Sequence, residues 1–162
     1  IAESEYLLMQ LECSDDVLKA GVELAEKHGV KVILNPAPAR QIDPEILKKV
    51  YLLTPNEIEA ETLLTYYKPE NLIITLGKKG ARVISGGLDE VIPCVPAKPQ
   101  NTTGAGDVFN GALAYAICSG KDLISAVKFA NAASSIKVES RYVLDGIPTL
   151  SEVEKRLEFF NK

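Results

Sequence analysis

YLLMQLECSDDVLKAGVELAEKHGVKVIL, from Tyr6 to Leu34, decides the fold class. Tyr6 to Leu11 is an apolar run of strand length and reads as a buried strand. Ser14 then stands where a helix N-cap belongs, and Asp15 and Asp16 suit the positive end of the helix that follows. Val17, Gly21 and Leu24, together with Leu18, Val22 and Ala25, recur at helical spacing and form an apolar face. His28, the single histidine of the chain, falls in the last turn, and Gly29 fits the cap behind it. Lys31 to Leu34 is the next apolar strand. Strand, helix and strand at this spacing make a βαβ unit, the building block of a parallel sheet.

The alternation continues outward from that unit. Asn35-Pro36-Ala37-Pro38 stops the second strand, because proline donates no ladder hydrogen bond. Asp43-Pro44 opens a short helix with proline at its first position. Tyr51 to Thr54 is a third strand, Pro55-Asn56 ends it, and Asn56 starts another helix. Leu72 to Leu76 is a fourth strand. Ala81 to Ser85 and Val91 to Val95 read as two more, joined through a Gly86-Gly87 turn. A helix from Gly104 to Ser119 would turn Val108, Phe109, Ala112, Leu113, Ala116 and Ile117 inward, with Gly120 ending it. Leu123 to Val138 is another, with Leu123, Val127, Ala130 and Ser134 on one face. Ser151 and Glu154 have capping-box spacing for a final helix through Phe160. The class is α/β, with a doubly wound, mostly parallel sheet. Neither an internal repeat nor a Pro/Gly/Ser linker divides it.

Composition excludes several classes of function. The 162 residues carry 18 basic and 22 acidic side chains, a formal charge of −4, with 46% apolar residues. That is too apolar for a disordered tail and too acidic for a nucleic-acid binder. The longest near-apolar stretch, Gly111 to Cys118, is too short to span a bilayer, so no membrane association is expected. Ile1 to Glu5 is acidic and lacks the basic region of a signal peptide. The first residue is not methionine, and the chain reads as part of something longer. Cys13, Cys94 and Cys118 form no CxxC pair and read as reduced, buried thiols of a cytoplasmic protein. One histidine and no GxSxG elbow leave no basis for a Ser-His-Asp enzyme.

Three loops at expected strand ends carry candidate chemistry, because ligands of such sheets bind at the carboxyl ends of strands. Asn101-Thr102-Thr103-Gly104-Ala105-Gly106-Asp107 is a glycine-rich turn opening a helix. Free amides at a helix start attract anions, and glycine lets a ligand approach the backbone. Asp107 could be a simple dipole partner there, but the small residues before it favour an anion site. The segment is neither a P-loop nor a dinucleotide fingerprint, since Phe109 stands where a third glycine would be. Asn56-Glu57-Ile58-Glu59 reads first as a capping box; its functional alternative is a magnesium-organising pair near phosphates. Thr75-Leu76-Gly77-Lys78-Lys79-Gly80 reads equally as a tight turn with solvated lysines or as a wall for nucleotide phosphates.

Together, TPNEIEAE (Thr54 to Glu61), ITLGKKG (Ile74 to Gly80) and NTTGAGDVFNG (Asn101 to Gly111) resemble the ribokinase-like, PfkB-type sugar kinases. LLMQLE (Leu7 to Glu12), NPAPAR (Asn35 to Arg40) and FANAA (Phe129 to Ala133) look closer to the ribokinase branch than to fructokinases, phosphofructokinases or nucleoside kinases. The resemblance implies that residues 1–162 are the C-terminal nucleotide-binding and catalytic part of such a domain, with its N-terminal half and lid absent. It implies phosphoryl transfer from ATP to the 5-hydroxyl of D-ribose. Asp107 would be the general base, and the Gly104, Ala105 and Gly106 amides would form the anion hole. Glu12 would bind ribose hydroxyls. Asn56 would approach the ATP phosphates, and Glu59 would organise hydrated Mg2+. Thr75, Leu76, Gly77, Lys78, Lys79, Gly80, Gly106 and Asn131 would line the nucleotide site. The family's potassium site would fall at Asn101 and Thr103. A missing half or partner chain would complete the enzyme, which in this family is commonly a homodimer. The alternatives are a non-catalytic nucleotide-binding module and a related kinase for another sugar or nucleoside.

The chain departs from the family pattern in places. Asn101 stands where the signature has Asp, a potassium ligand. Tyr142 replaces a glycine that bends the potassium loop, and Lys137 falls where the family offers a carbonyl. These changes argue against potassium activation of the usual kind. Only Tyr66 to Glu70 separates the helix after Asn56 from the next strand, so one family helix is missing.

Overall fold

A computed structural model describes residues 1–160. The element order is β1 (Tyr6–Gln10), α1 (Asp15–Lys27), β2 (Lys31–Asn35), α2 (Pro44–Leu47), β3 (Leu52–Leu53), α3 (Glu57–Leu63), β4 (Asn71–Thr75), β5 (Ala81–Ser85), β6 (Leu88–Ile92), α4 (Ala105–Cys118), α5 (Leu123–Lys137) and α6 (Leu150–Phe160). The chain forms two compact units. One comprises Ile1–Leu76 with Arg82–Glu90; the other comprises Gly77–Ala81 with the chain from Val91 onward.

The strands are hydrogen-bonded in the order β1-β2-β3-β4-β5-β6. The first four are parallel: Tyr6 pairs with Lys31, Ile33 with Leu52, and Leu53 with Leu72. The connections from β4 to β5 and from β5 to β6 are too short for a crossover, so both pairs are antiparallel and the sheet is mixed. Ser85 Oγ donates to Asn71 Oδ1 at 2.5 Å, tying the end of β5 to the start of β4. The expected α/β class with a mostly parallel sheet is present.

Local chemistry accounts for the elements. Ser14 Oγ accepts from Val17 N and caps α1, whose buried stripe is Leu18, Val22 and Ala25. Burying Leu18 or Val22 contributes about 1.5–3 kcal/mol each. Val17 and Leu24, also expected on that face, are exposed. They stand one position before Leu18 and Ala25, about 100° round the helix, where the sheet does not reach. Gly21 lets Met9 of β1 pack closely on the helix: a Cβ there would stand 2.8 Å from Met9 Cε, and the flexible methionine end would have to shift. Leu18, Val22, Val32, Leu34, Leu53 and Leu72 belong to one apolar core within this unit.

Several expectations shift. β1 is half-buried rather than buried, with Leu8 exposed, because it has a strand on one side alone. The last strand begins at Leu88, three residues before the expected Val91. Gly86 and Gly87, at φ 57° and 88°, make a two-residue turn that fixes the register of the hairpin. Arg82 then pairs with Asp89 through two hydrogen bonds of 2.7 Å. Of the three thiols, Cys118 is exposed, and Cys13 and Cys94 are part-buried rather than buried.

In the second unit α5 packs against α4 and against α6. Phe109, Leu113 and Ala116 of α4 and Val127, Ala130 and Ala133 of α5 are buried. Thr149, not Ser151, caps α6: Thr149 N donates to Glu152 Oε2 at 2.7 Å, and Glu152 N donates to Thr149 Oγ1. Thr149 and Glu152 have the same spacing as Ser151 and Glu154. Starting the helix at Leu150 places Val153 among the buried side chains. Among the described residues no helix is long and apolar enough to cross a membrane.

Candidate functional site

Parallel strands place their carboxyl ends, and the loops that follow them, along one edge of the sheet. In the first unit that edge carries Glu12 after β1, the Asn35–Arg40 loop after β2, Thr54–Glu59 after β3 and Thr75-Leu76 at the end of β4. Glu12 is exposed. Asn35 Nδ2 donates to the Thr54 carbonyl at 2.7 Å, bracing the ends of β2 and β3. Arg40 anchors its loop through Asp15 and the Cys13 carbonyl. An isolated parallel bridge sets Asn56 beside Thr75, and Thr75 N donates to the Pro55 carbonyl at 2.9 Å. Two residues expected to face nucleotide therefore stand together.

Asn56 and Glu59 form the capping box that the local pattern favoured. Asn56 Oδ1 accepts from Glu59 N at 2.9 Å, and Glu59 Oε2 accepts from Asn56 N at 2.8 Å. Glu59 Oε1 also accepts from Asn56 Nδ2 at 2.8 Å, so both oxygens of a 7% exposed carboxylate rest on one residue. Burial holds the Glu59 carboxyl above the ordinary range, with the Asn56 backbone bond opposing it. A buried carboxylate whose described partners are neutral fits a water-mediated partner for Mg2+. Among the described residues no group of three or more acidic, histidine or cysteine side chains forms an all-protein metal cage.

In the second unit, Gly77-Lys78-Lys79 makes one tight turn, closed by Gly80 N donating to the Gly77 carbonyl at 3.0 Å. Gly80 has φ 102°, and a Cβ there would stand 2.0 Å from Ile92 O and 2.6 Å from Cys94 N. Asn131, 3% exposed on α5, donates through Nδ2 to the Ile92 and Pro93 carbonyls at 3.2 Å each. The Gly77–Gly80 loop and Asn131 thus both pack against Ile92–Cys94. Asn131 supports that segment with its amide group.

The turn into α4 is built for backbone access. Gly104 is the N-cap, in the left-handed region at φ 77°, and no side chain caps the helix. A Cβ on Gly106 would meet nothing within 4 Å. Asp107 is exposed in the first turn. The Ala105 amide donates to the Thr102 carbonyl at 3.1 Å, and side chains of Val143 and Lys137 stand close to Gly104, so the space is open over Gly106. Helix amides with a partial positive charge beside a carboxylate can hold an anion and accept a proton next to it. A cavity of about 370 Å³ is lined by Asp107 with Val108, Gly111 and Tyr115 of α4 and Phe129 of α5. Those groups beyond Asp107 are poor partners for sugar hydroxyls.

Asn101 shapes the loop. Its Oδ1 accepts from Thr103 N at 2.9 Å, and its Nδ2 donates to the Arg141 carbonyl at 3.0 Å. Thr103 is exposed. Lys137, noted from the sequence for its carbonyl, is instead conspicuous for its side chain: it is 1% exposed and its Nζ donates to the Tyr142 carbonyl at 3.4 Å. Its signal was a lysine on the inward stripe of α5, ten positions after Val127 and seven after Ala130.

The pfkB family carbohydrate kinase model matches residues 1–150. The chain belongs to that family. A ribokinase of Bacillus subtilis is 40% identical over 97% of this chain and 56% of the relative. One from Haemophilus influenzae is 36% identical over 98% of this chain and 57% of its own length. The ribokinase of Arabidopsis thaliana complexed with ribose and ATP superposes with a TM-score of 0.90 at 28% identity, over 98% of this chain and 57% of that one. The chain spans just over half the length of the curated relatives it matches.

Proposed function

We propose that this chain is the nucleotide-binding and catalytic part of a ribokinase, a protein that transfers the γ-phosphoryl group of ATP to the 5-hydroxyl of D-ribose. The observation that carries the reading is the start of α4. There a helix without a side-chain cap, a left-handed Gly104 and open space over Gly106 offer backbone amides to a phosphate, with Asp107 one residue further on, while Ala105 N is held by the Thr102 carbonyl at 3.1 Å. Ribose as acceptor and ATP as donor are supported by the ribokinase relatives and by the superposition on a protein complexed with both.

In this reading Asp107 takes the hydroxyl proton as attack begins, a role worth about 10²–10⁴ in rate. The amides of Gly104 and Gly106 oppose the charge that develops on the transferred group, and Ala105 N, expected to join them, must first leave the Thr102 carbonyl. Asn56 and Thr75, joined by their bridge, face the phosphates, and the Gly77–Gly80 turn forms a wall of the nucleotide site. Glu12 holds ribose hydroxyls. Mg2+, bound with the nucleotide through waters ordered by Glu59, would neutralise phosphate charge. The residues at the expected potassium position do not suit a mobile cation. Asn101 spends its oxygen on Thr103 N, and the Tyr142 carbonyl already receives Lys137 Nζ and Ser140 Oγ.

The test has two parts. The chain alone should bind ATP in calorimetry. Joined to the N-terminal part that its relatives possess, it should transfer phosphate from labelled ATP to ribose in preference to other pentoses, ketohexoses and nucleosides. ATP binding without transfer in the completed protein would support a non-catalytic nucleotide-binding module. A homodimer of the completed, cytoplasmic enzyme is part of the same proposal, read by light scattering and cell fractionation.

A further inference from the structure

Lys137 is among the largest fully buried side chains of the protein. Among the described residues its ammonium makes no ion pair within 4.0 Å. Its one described hydrogen bond, to the Tyr142 carbonyl, is long at 3.4 Å. A long lysine on a helix usually runs its stem along apolar surface and keeps its head in water. At 1% exposure this one does not. Burying an ammonium without a counter-charge is costly, and an apolar side chain of similar length would be cheaper at that position.

The position gives the charge a purpose. A Cβ placed on Gly104 would lie 3.7 Å from Lys137 Cε and 4.0 Å from Asp107 Oδ2. The end of the lysine stem and the Asp107 carboxylate thus flank the residue that opens α4. The Asn101 and Arg141 side chains of the neighbouring loops offer it no counter-charge. Asn101 is neutral, and both ends of its amide are engaged with the loop. Arg141, in the same loop, is satisfied by Gln100 Oε1.

We propose that the Lys137 ammonium is a tethered cation serving the Gly104–Gly106 anion cradle, and that it replaces a mobile monovalent ion there. The proposal rests on the reading of that cradle as the nucleotide-phosphate site. A phosphate entering the cradle supplies the negative charge that the buried ammonium lacks. A second cation bound at the Tyr142 carbonyl would meet a like charge already hydrogen-bonded to the same oxygen. Lys137 acts here as a positioning residue, through the field at the cradle rather than through contact with the reacting atoms.

The experiment is ATP titration of the full chain by calorimetry in about 0.1 M KCl and in about 0.1 M tetramethylammonium chloride, which hold the screening equal. The wild-type dissociation constant should agree in the two salts within about two-fold. K137M, which keeps the packing and removes the charge, should bind at least about ten-fold more weakly in both. K137A, which leaves a cavity, should weaken similarly in tetramethylammonium and recover in KCl or NH4Cl. Wild-type affinity that tightens about ten-fold in KCl, or K137M binding as tightly as wild type, overturns the proposal. The wild-type comparison decides the matter even where a variant fails to fold. No ATP binding by wild type in either salt overturns the nucleotide reading itself, and this proposal with it.

Discussion

Gly80→Ala should be among the most costly single-methyl changes in this protein. Gly80 closes the Gly77–Gly80 turn at φ 102°, where an L-residue is strained by about 1–2 kcal/mol. The added methyl would stand 2.0 Å from Ile92 O, 2.6 Å from Cys94 N and 2.7 Å from Pro93 C. All three are backbone atoms, so no side-chain rotation relieves the clash, and the loop must move off the segment that Asn131 braces. Overpacking of that kind costs a further 1–3 kcal/mol or so, for a total of roughly 2–5 kcal/mol. Gly77→Ala is the internal control. It lies in the same turn at φ 55° with nothing within 4 Å of its Cβ position, so it bears backbone strain alone, about 1 kcal/mol. Urea denaturation followed by circular dichroism reads both. With a slope near 2 kcal/mol per molar, Gly80→Ala should lower the midpoint by roughly 1–2.5 M and Gly77→Ala by about 0.5 M. Equal losses would refute the steric argument. Because the moved loop faces nucleotide in the proposed function, Gly80→Ala should also weaken ATP binding more than Gly77→Ala does.

Three further outcomes follow from the same geometry. Gly106→Ala should stabilise the fold by roughly 0.5–1 kcal/mol, since alanine is the better helix former, yet weaken ATP binding about ten-fold by placing a methyl in the open cradle; unchanged affinity would move the phosphate elsewhere. Asp107→Asn, in the protein completed with its N-terminal part, should lower turnover by about 10²–10⁴ while ATP affinity stays within a few-fold, and retained turnover would remove Asp107 as the base. Glu59 has a folded-state pKa raised by burial, so its contribution to stability is fully present below the ordinary glutamate value and is lost as pH rises through the folded one. Glu59→Gln keeps a capping partner for the Asn56 backbone and removes that titration. The urea midpoint of wild type relative to Glu59→Gln should therefore fall as pH rises above the ordinary glutamate value, and a flat difference would contradict the assignment.

Short-range signals made much of the fold and most of the candidate site legible. The stops at Pro36 and Pro55, the caps at Ser14, Asp43 and Asn56, and the spacing of Leu18, Val22 and Ala25 act within a few residues, so the chain carries them wherever it folds. The Gly104–Asp107 turn was equally visible, because a helix start with glycine, alanine and glycine is a backbone device. Where local cues compete, they could not choose. Thr149–Glu152 and Ser151–Glu154 offer the same box, and burial of Val153 accompanies the earlier start. The β6 segment is largely exposed, so its apolar pattern is weak, and the turn and the Arg82–Asp89 pair set its register.

The sequence by itself determined the alternation of strand and helix, the family, and which residues stand at the ends of strands and the starts of helices, since periodicity, capping and motif spacing are properties of the chain alone. The tertiary structure decided which side chains lose water. It exposes Val17 and Leu24, closes Ile92–Cys94 over Gly80, turns Asn131 onto backbone carbonyls, and buries Lys137 beside Gly104. The cost of a buried charge and of a misplaced methyl depends on atoms brought close from far along the chain, and those distances exist once the chain has folded.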